Sequence, residues 1–353
     1  FLAVLVCCFP TTIRAAAVAE VESTGNTYDT LQEALDAAPE GDTVILLSSI
    51  TSSTGVQINK PVTLDGDGFV FNYTGAYSGT STAITINAPD VTIKKLSVCA
   101  ETARFGIFCK GGGTLNLSKV LIYGDALPNI PTFALIFGSA ASNSVVNITD
   151  SYIEGYYGII IWGQNMTINI DETVIVSQED SGAEDFGAIV LGNGGYQSAE
   201  NTVVNITKSD IIATNEIGNE SRAVINGTET GVVNIDDVST VIGTTIYPVA
   251  FVVSGFREYY FESLQEAVDY AISKVAAVAV IRDVNISSSI DIKGKVTIEG
   301  CGHTLTSSDN DVFLIDTVNE VKIYDYKITG KTECWGISIV GQPAVLILDN
   351  VTV

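Results

Sequence analysis

Marked only as apolar or polar, the chain repeats one short phrase, apolar–polar–apolar. It falls at Val62–Leu64, Val91–Ile93, Leu115–Leu117, Val146–Ile148, Ile168–Ile170, Val204–Ile206 and Val233–Ile235. It resumes at Val296–Ile298, Val321–Ile323 and Leu346–Leu348. Two-residue alternation rich in Val, Ile and Thr predicts strands. The spacings are 29, 24, 31, 22, 36 and 29 residues, then 25 and 25, which predicts the coils of a solenoid. Many intervals hold a second short strand of the form aromatic–Gly–apolar–x–apolar: "FGIFC" at 105, "YGIII" at 157, "FGAIV" at 186 and "WGISI" at 335, with "FALIF" at 133 lacking the glycine. Glycines and asparagines between the runs suit tight corners. Strands stacked about 4.8 Å apart bury their inward side chains in a continuous column, so each coil is stable only against its neighbours.

A longer duplication overlies the coils. "TYDTLQEALDAA" at 27–38 matches "YFESLQEAVDYA" at 260–271. Each carries a capping box, Thr30 with Glu33 and Ser263 with Glu266, ahead of an amphipathic run. Leu31, Ala34, Leu35 and Ala38 share one helical face, as do Leu264, Ala267, Val268 and Ala271. Both helices, near 30–38 and 263–273, are expected to cap the apolar open end of a solenoid, which otherwise exposes strand edges. The expected organisation is one module over 20–248 and a second, incomplete at its C-terminus, over 249–353.

Composition narrows the function. With 41 acidic against 17 basic residues the formal net charge is −24, a field that repels nucleic acid and anionic membranes and attracts cations. The opening "FLAVLVCCFPTTIRAAAVAEVES" has an apolar core and Ala-rich cleavage-like triplets, so residues 1–19 read as an N-terminally truncated secretory signal too short to span a bilayer. The expected location is secreted or cell-surface. Cys99, Cys109, Cys301 and Cys334 follow it without zinc-site spacing; they are expected as free thiols, although export permits disulfides.

Together these phrases resemble the right-handed parallel β-helix proteins of the pectin-lyase-like superfamily. Within it they are most similar to repeat-rich bacterial secreted and cell-surface proteins with a "YxTLQEAvdaa…GDTVxLL" segment ahead of their coils. The resemblance covers roughly residues 27–353. It implies an all-β fold, a right-handed parallel β-helix in two tandem modules with short N-terminal capping helices. Function stays open, because this fold hosts lyases, hydrolases, adhesins and phage tailspikes. Family lyases combine calcium-binding aspartates with an essential Arg, and family hydrolases use three aspartates with His and Arg-x-Lys nearby. Here the one histidine, His303 in "GCGHT", aligns with Phe69 of "GDGFV", which points to corner packing. Asp236 and Asp237 are adjacent and so face opposite sides of a strand. Arg222 is the only arginine between Arg104 and Arg257. These features favour a non-catalytic adhesin-like or scaffolding surface over a polysaccharide lyase or glycoside hydrolase. A glycan-binding module is the third reading.

The faces suggest where partners would meet it. If Val146 and Ile148 point inward, Asn147 points outward, and Asn116, Asn169, Asn205 and Asn234 join it in a polar ladder with Thr63 and Thr92 ahead. That ladder is either a solvated face or a surface for a glycan or protein. Nine asparagines, Asn116, Asn147 and Asn205 among them, sit in N-x-Ser/Thr, a glycan-acceptor signal only in a suitable secretory pathway. In the aromatic–Gly strands Phe108, Ile136, Ile160, Trp162, Ile189 and Leu191 are expected to face out as an apolar column. Such a column implies cover by loops 124–132 and 177–185 or contact with another chain. The acidic loop 177–187 offers Asp180, Glu184 and Asp185 as ligands for Ca²⁺, the one cofactor the sequence suggests, without the spacing of a known calcium loop.

Overall fold

The computed structural model describes residues 17–124, 132–179, 187–192, 199–215, 222–254, 257–307, 311–317, 319–329, 336–340 and 345–353. The chain is a right-handed parallel β-helix in two tandem modules, each with a short helix near its leading end. Up to Ile246 each coil contributes one strand to each of three sheets, of ten, eight and eight strands. The repeated phrase forms the first sheet, from Thr43–Leu46 through Val145–Thr149 to Val232–Ile235. The aromatic–Gly strands form the third, with Phe105–Cys109, Phe133–Phe137, Tyr157–Ile161 and Gly187–Leu191 side by side. Among the described residues no helix is long and apolar enough to cross a membrane.

The corners explain why coils of unequal length still stack. Between first- and second-sheet strands a single residue turns left-handed: Lys95, Lys119, Asp150, Glu172 and Lys208, with φ of 46° to 57°. A left-handed non-glycine residue costs about 1–2 kcal/mol. Part of that cost is offset because the corner amide bonds to the next coil, as Lys119 N to Thr149 O at 3.0 Å and Asp150 N to Asp171 O at 3.2 Å. Just beyond, hydroxyls repeat the device inside. Ser151 Oγ accepts from Val120 N at 3.1 Å, Thr173 Oγ1 from Ser151 N at 3.3 Å, and Ser209 Oγ from Thr173 N at 3.1 Å. These buried amides and hydroxyls therefore satisfy one another from coil to coil.

The core consists of in-register rows. Phe71, Val98, Ile122, Ile153, Ile175 and Ile211 line the second sheet and Ile84, Ile107, Leu135, Ile159, Ile189 and Val224 the third, all buried. Each side chain of this size contributes about 1.5–3 kcal/mol by leaving water. Gly158 lies where third-sheet backbone meets second-sheet side chains. A Cβ there would stand 2.5 Å from Ala188 O and 2.6 Å from Ile175 Cγ2.

The two modules close their leading ends in the same way. A strand (Ala19–Val21, Ala250–Ser254) pairs antiparallel with the strand that follows the helix, α1 (Leu31–Ala37) or α2 (Leu264–Lys274). Thr30 and Ser263 accept from Glu33 N and Glu266 N, as the capping boxes require. The apolar faces are buried as expected. The glutamine of each helix has a task that its spacing does not reveal. Gln32 exchanges two hydrogen bonds with the backbone of Gln57 (3.0 and 2.8 Å), and Gln265 does the same with Asp291 (3.0 and 2.7 Å). One side-chain amide thus satisfies the open edge of the first strand of the stack.

Two measurements follow from this packing. Gly158→Ala is expected to cost about 2–3 kcal/mol through overpacking against backbone, while Gly79→Ala, with nothing within 4 Å, stays near neutral; urea denaturation compares them. Asp65 is held by Lys94 (3.1 Å) and Lys95 (3.6 Å). Burial pushes its carboxyl up, but the Asp67 amide and the two lysines outweigh that and leave it below the ordinary range. Its contribution is then complete above the unfolded carboxylate pKa and is lost as pH falls through the lower folded value. Asp65→Asn should cost about 1 kcal/mol near neutrality and little in strong acid, read as a pH-dependent difference in Tm.

Candidate functional site

The first sheet carries its polar residues outward in one column. Asn116 Nδ2 donates to Thr92 Oγ1 (3.3 Å), Asn147 to Asn116 Oδ1 (2.9 Å), Asn169 to Asn147 (3.0 Å), Asn205 to Asn169 (3.0 Å) and Asn234 to Asn205 (2.9 Å). All these bonds run the same way, so the amide dipoles polarise one another along the stack. Each carboxamide has two N–H donors and two acceptor lone pairs, so one of each is left over per interior rung. Asn116, Asn147, Asn169 and Asn205 are half-buried and Asn234 is exposed. A second ladder is not evident from the repeated phrase: Asn165 donates to Asn143 and Asn201 to Asn165, both at 3.2 Å, at corners where all three are left-handed. Its signal is the recurrence of asparagine three residues ahead of the phrases at 146, 168 and 204, in a conformation asparagine tolerates well.

The apolar column differs from expectation in which residues compose it. Ile136 is 0% and Ile160 5% exposed, and Phe108 and Trp162 are half-buried against the core. The two isoleucines are therefore covered, one of the two outcomes expected of the column, while Phe108 and Trp162 stay partly open. Ile189 and Leu191, expected to face out, belong to the other row. They pair with Ile159 and Ile161 and point inward; Val190 is the neighbour of Ile160. Matching "FGAIV" to "YGIII" by their glycines shifts the strand by one residue, which exchanges its two faces. The segments expected as cover fall largely on 125–131 and 180–186, outside the described residues. The calcium candidates Asp180, Glu184 and Asp185 also lie outside them, as does Cys334. Cys99 and Cys109 are free thiols, burial pushes the Cys109 thiol far up, and Cys301 Sγ donates to Glu299 O at 3.8 Å.

Charged chemistry gathers where the modules meet. A cleft of about 480 Å³ is lined by Arg222, Ile246, Tyr260, Phe261, Glu262, Glu266, Asp269 and Tyr270, mixing an arginine, carboxylates and aromatic rings. Beside the first module's last coil, the Arg282 guanidinium donates to Asn226 O (2.6 Å) and Thr228 O (3.0 Å). Burial pulls it below its ordinary pKa against the opposing charges of Glu229 and Glu200. His303 does not merely pack a corner: its Nδ1 is 3.2 Å from Glu229 Oε1 and 3.8 Å from Asp283 Oδ1. Asp236 caps the Ser239 turn, which lowers its carboxyl, and does not form a carboxylate pair facing a cleft.

No protein-family model matches the chain, and no curated protein does. Among solved structures it is similar to an alginate lyase from Paenibacillus sp. str. FPU-7, at 13% identity over 92% of this chain and 96% of that one, with a TM-score of 0.32. It is also similar to the tailspike protein gp49 from Pseudomonas phage LKA1, at 11% identity over 88% of this chain and 49% of that one, with a TM-score of 0.27. At this distance neither supplies a residue-by-residue correspondence.

The ladder can be tested for its structural part. Asn147→Ala removes one donated and one accepted bond and is expected to cost about 1–2 kcal/mol, whereas Asn234→Ala, exposed with one bond to Asn205, costs under about 0.5 kcal/mol. Equal losses in urea titrations would mean that the amides do not act as a coupled ladder.

Proposed function

We propose that this chain is an exported, non-catalytic β-helix whose ladder sheet binds an extended carbohydrate, as a presenting segment of a secreted or cell-surface protein. The observation that carries this reading is the polarised asparagine column, Asn116 to Asn234, on a regular parallel sheet. It repeats one spare donor and one spare acceptor about every 4.8 Å, a pattern suited to the hydroxyls of an extended sugar chain. Thr114, Thr149 and Thr167 flank it with further hydroxyls, and Val145 and Val232 add exposed apolar contact. The net charge of −24 disfavours polyuronates and favours neutral or amino sugars. The two modules, 20–248 and 249–353, act in this reading as one continuous scaffold. A place in the pectin-lyase-like superfamily fits the same picture through its repeats and capping helices.

One observation favours a second reading, a polysaccharide-cleaving enzyme. Arg222, at the start of the first module's strand Arg222–Asn226, lines the joint cleft with Glu262, Glu266 and Asp269 of the second module, which sets a basic side chain beside carboxylates.

Binding to immobilised neutral, amino and uronate polysaccharides decides between them. The scaffold reading expects retention on neutral or amino glycans, weakened at least tenfold by Val145→Arg at an exposed position of the ladder face, with no new reducing or unsaturated ends. Release of such ends, abolished by Arg222→Ala, would replace it with the enzyme reading. Retention unaffected by Val145→Arg, without cleavage, would remove the ladder from the site.

A further inference from the structure

We propose that Glu229, Asp283 and His303 form a binding site for one first-row divalent cation, which ties the second module to the last coil of the first. This inference is independent of the carbohydrate reading. The ligand atoms of all three lie within 4.8 Å of one another. A tetrahedral cation with bonds of about 2.0–2.1 Å holds its ligands about 3.3 Å apart. The separations from His303 Nδ1, 3.2 Å to Glu229 and 3.8 Å to Asp283, already approach that geometry. One imidazole with two carboxylates suits Zn²⁺ or its first-row neighbours better than Ca²⁺, which takes six to eight oxygens.

The ligands are held in advance from outside the cluster. Asp283 N donates to Glu229 Oε1 at 2.9 Å and Thr304 N to Asp283 Oδ1 at 2.6 Å, the outer hydrogen bonds that ligating carboxylates usually have. Behind Glu229, Glu200 accepts from the amides of Glu229 (3.3 Å) and Thr230 (2.9 Å). The adjacent Arg282 donates its hydrogen bonds to the carbonyls of Asn226 and Thr228 and acts on Glu229 through its charge alone.

A second observation points to a missing ligand. Tyr326 is 2% exposed and its hydroxyl has no hydrogen-bond partner among the described residues. Its strand runs beside that of His303, with Lys327 N donating to His303 O at 3.1 Å and Lys327 paired with Thr304. A Cβ built on Gly300 would collide with Tyr326 Cδ2, so the ring lies directly against the turn that carries His303. A buried hydroxyl with no partner costs about 1–3 kcal/mol. A water bound to the cation supplies a partner, donating an O–H to that hydroxyl oxygen.

The duplicated turn provides an internal comparison. Gly66 to Phe69 and Gly300 to His303 form the same turn: Gly66 N bonds to Lys94 O and Gly300 N to Tyr324 O, both at 2.8 Å, and Phe69 N bonds to Gly66 O (2.8 Å) as His303 N does to Gly300 O (2.9 Å). Asp67 and Cys301 are both left-handed, as are Gly68 and Gly302. One backbone therefore accepts Phe or His. The histidine stands in the copy where Glu229 of a preceding coil is within reach.

The test is calorimetric titration of EDTA-stripped protein with ZnCl₂, and with CaCl₂ for comparison. Wild type is expected to bind one Zn²⁺ per chain. His303→Phe, which the turn already accommodates, should weaken binding at least tenfold. Glu229→Gln and Asp283→Asn, which keep an oxygen for the backbone amides but lose the charge, should do the same. Tyr326→Phe should weaken it several-fold without changing the stoichiometry. Zn²⁺ uptake by wild type no greater than by His303→Phe, or Ca²⁺ bound in preference to Zn²⁺, overturns the proposal. Circular dichroism and Tm in EDTA confirm that each variant is folded before its affinity is read.

Discussion

The backbone hydrogen bond between one coil and the next governs the rest of this molecule. It sets equivalent positions about 4.8 Å apart and in register, so any residue chosen once is repeated against itself. Apolar residues repeated inward become continuous rows, from Phe71 to Ile211 and from Ile84 to Val224. Amides repeated outward become a polarised ladder. Hydroxyls repeated at the corner satisfy the neighbouring amide, coil after coil. Corner residues accept a left-handed backbone because their own amides join the same stack.

Identical charges stacked directly opposite one another repel, and the ladder column itself is filled with neutral asparagine and threonine. Charged side chains sit instead at strand ends and exposed corners, where opposite signs on neighbouring coils can pair, as with Asp65 beside Lys94 and Lys208 with Glu172. A denser meeting of dissimilar charged residues occurs where the repetition breaks, at the joint between the modules. There Glu229 of one module faces Asp283 and His303 of the other, Arg282 crosses to the carbonyls of Asn226 and Thr228, and Arg222 shares a cleft with Glu262, Glu266 and Asp269. Phe251, Tyr260, Ala279 and Ile281 of the second module pack on the first module's core, which continues the apolar stack through the joint. The ends of each stack have the opposite need, an edge without a partner. Gln32 and Gln265 meet it by lending a side-chain amide to the exposed strand.

Periodicity and duplication are legible in the chain: the strands, the coil repeat, both capping helices with their buried faces, and the ladder of Asn116, Asn147, Asn169, Asn205 and Asn234 can be read from spacing alone. Spacing suffices there because strand alternation has a period of two and the ladder inherits it from the core row. It fails at "FGAIV", where similar letters sit one residue out of register, so that Ile189 and Leu191 change faces. Nor does spacing reveal the burial of Ile136 and Ile160, because alternation reports which face a side chain takes and not what lies over that face.

By itself, then, the sequence determined what repeats: a parallel β-helix with a polar ladder, apolar rows and two helix-capped ends, because coil stacking converts a linear pattern directly into a column. Only the tertiary structure decided what meets across the joint. Glu229, Asp283, His303 and Tyr326 come from coils up to 97 positions apart and follow no shared period. Their proximity depends on how many residues each intervening coil takes up before it returns, and that length varies along this chain from 22 to 36 residues.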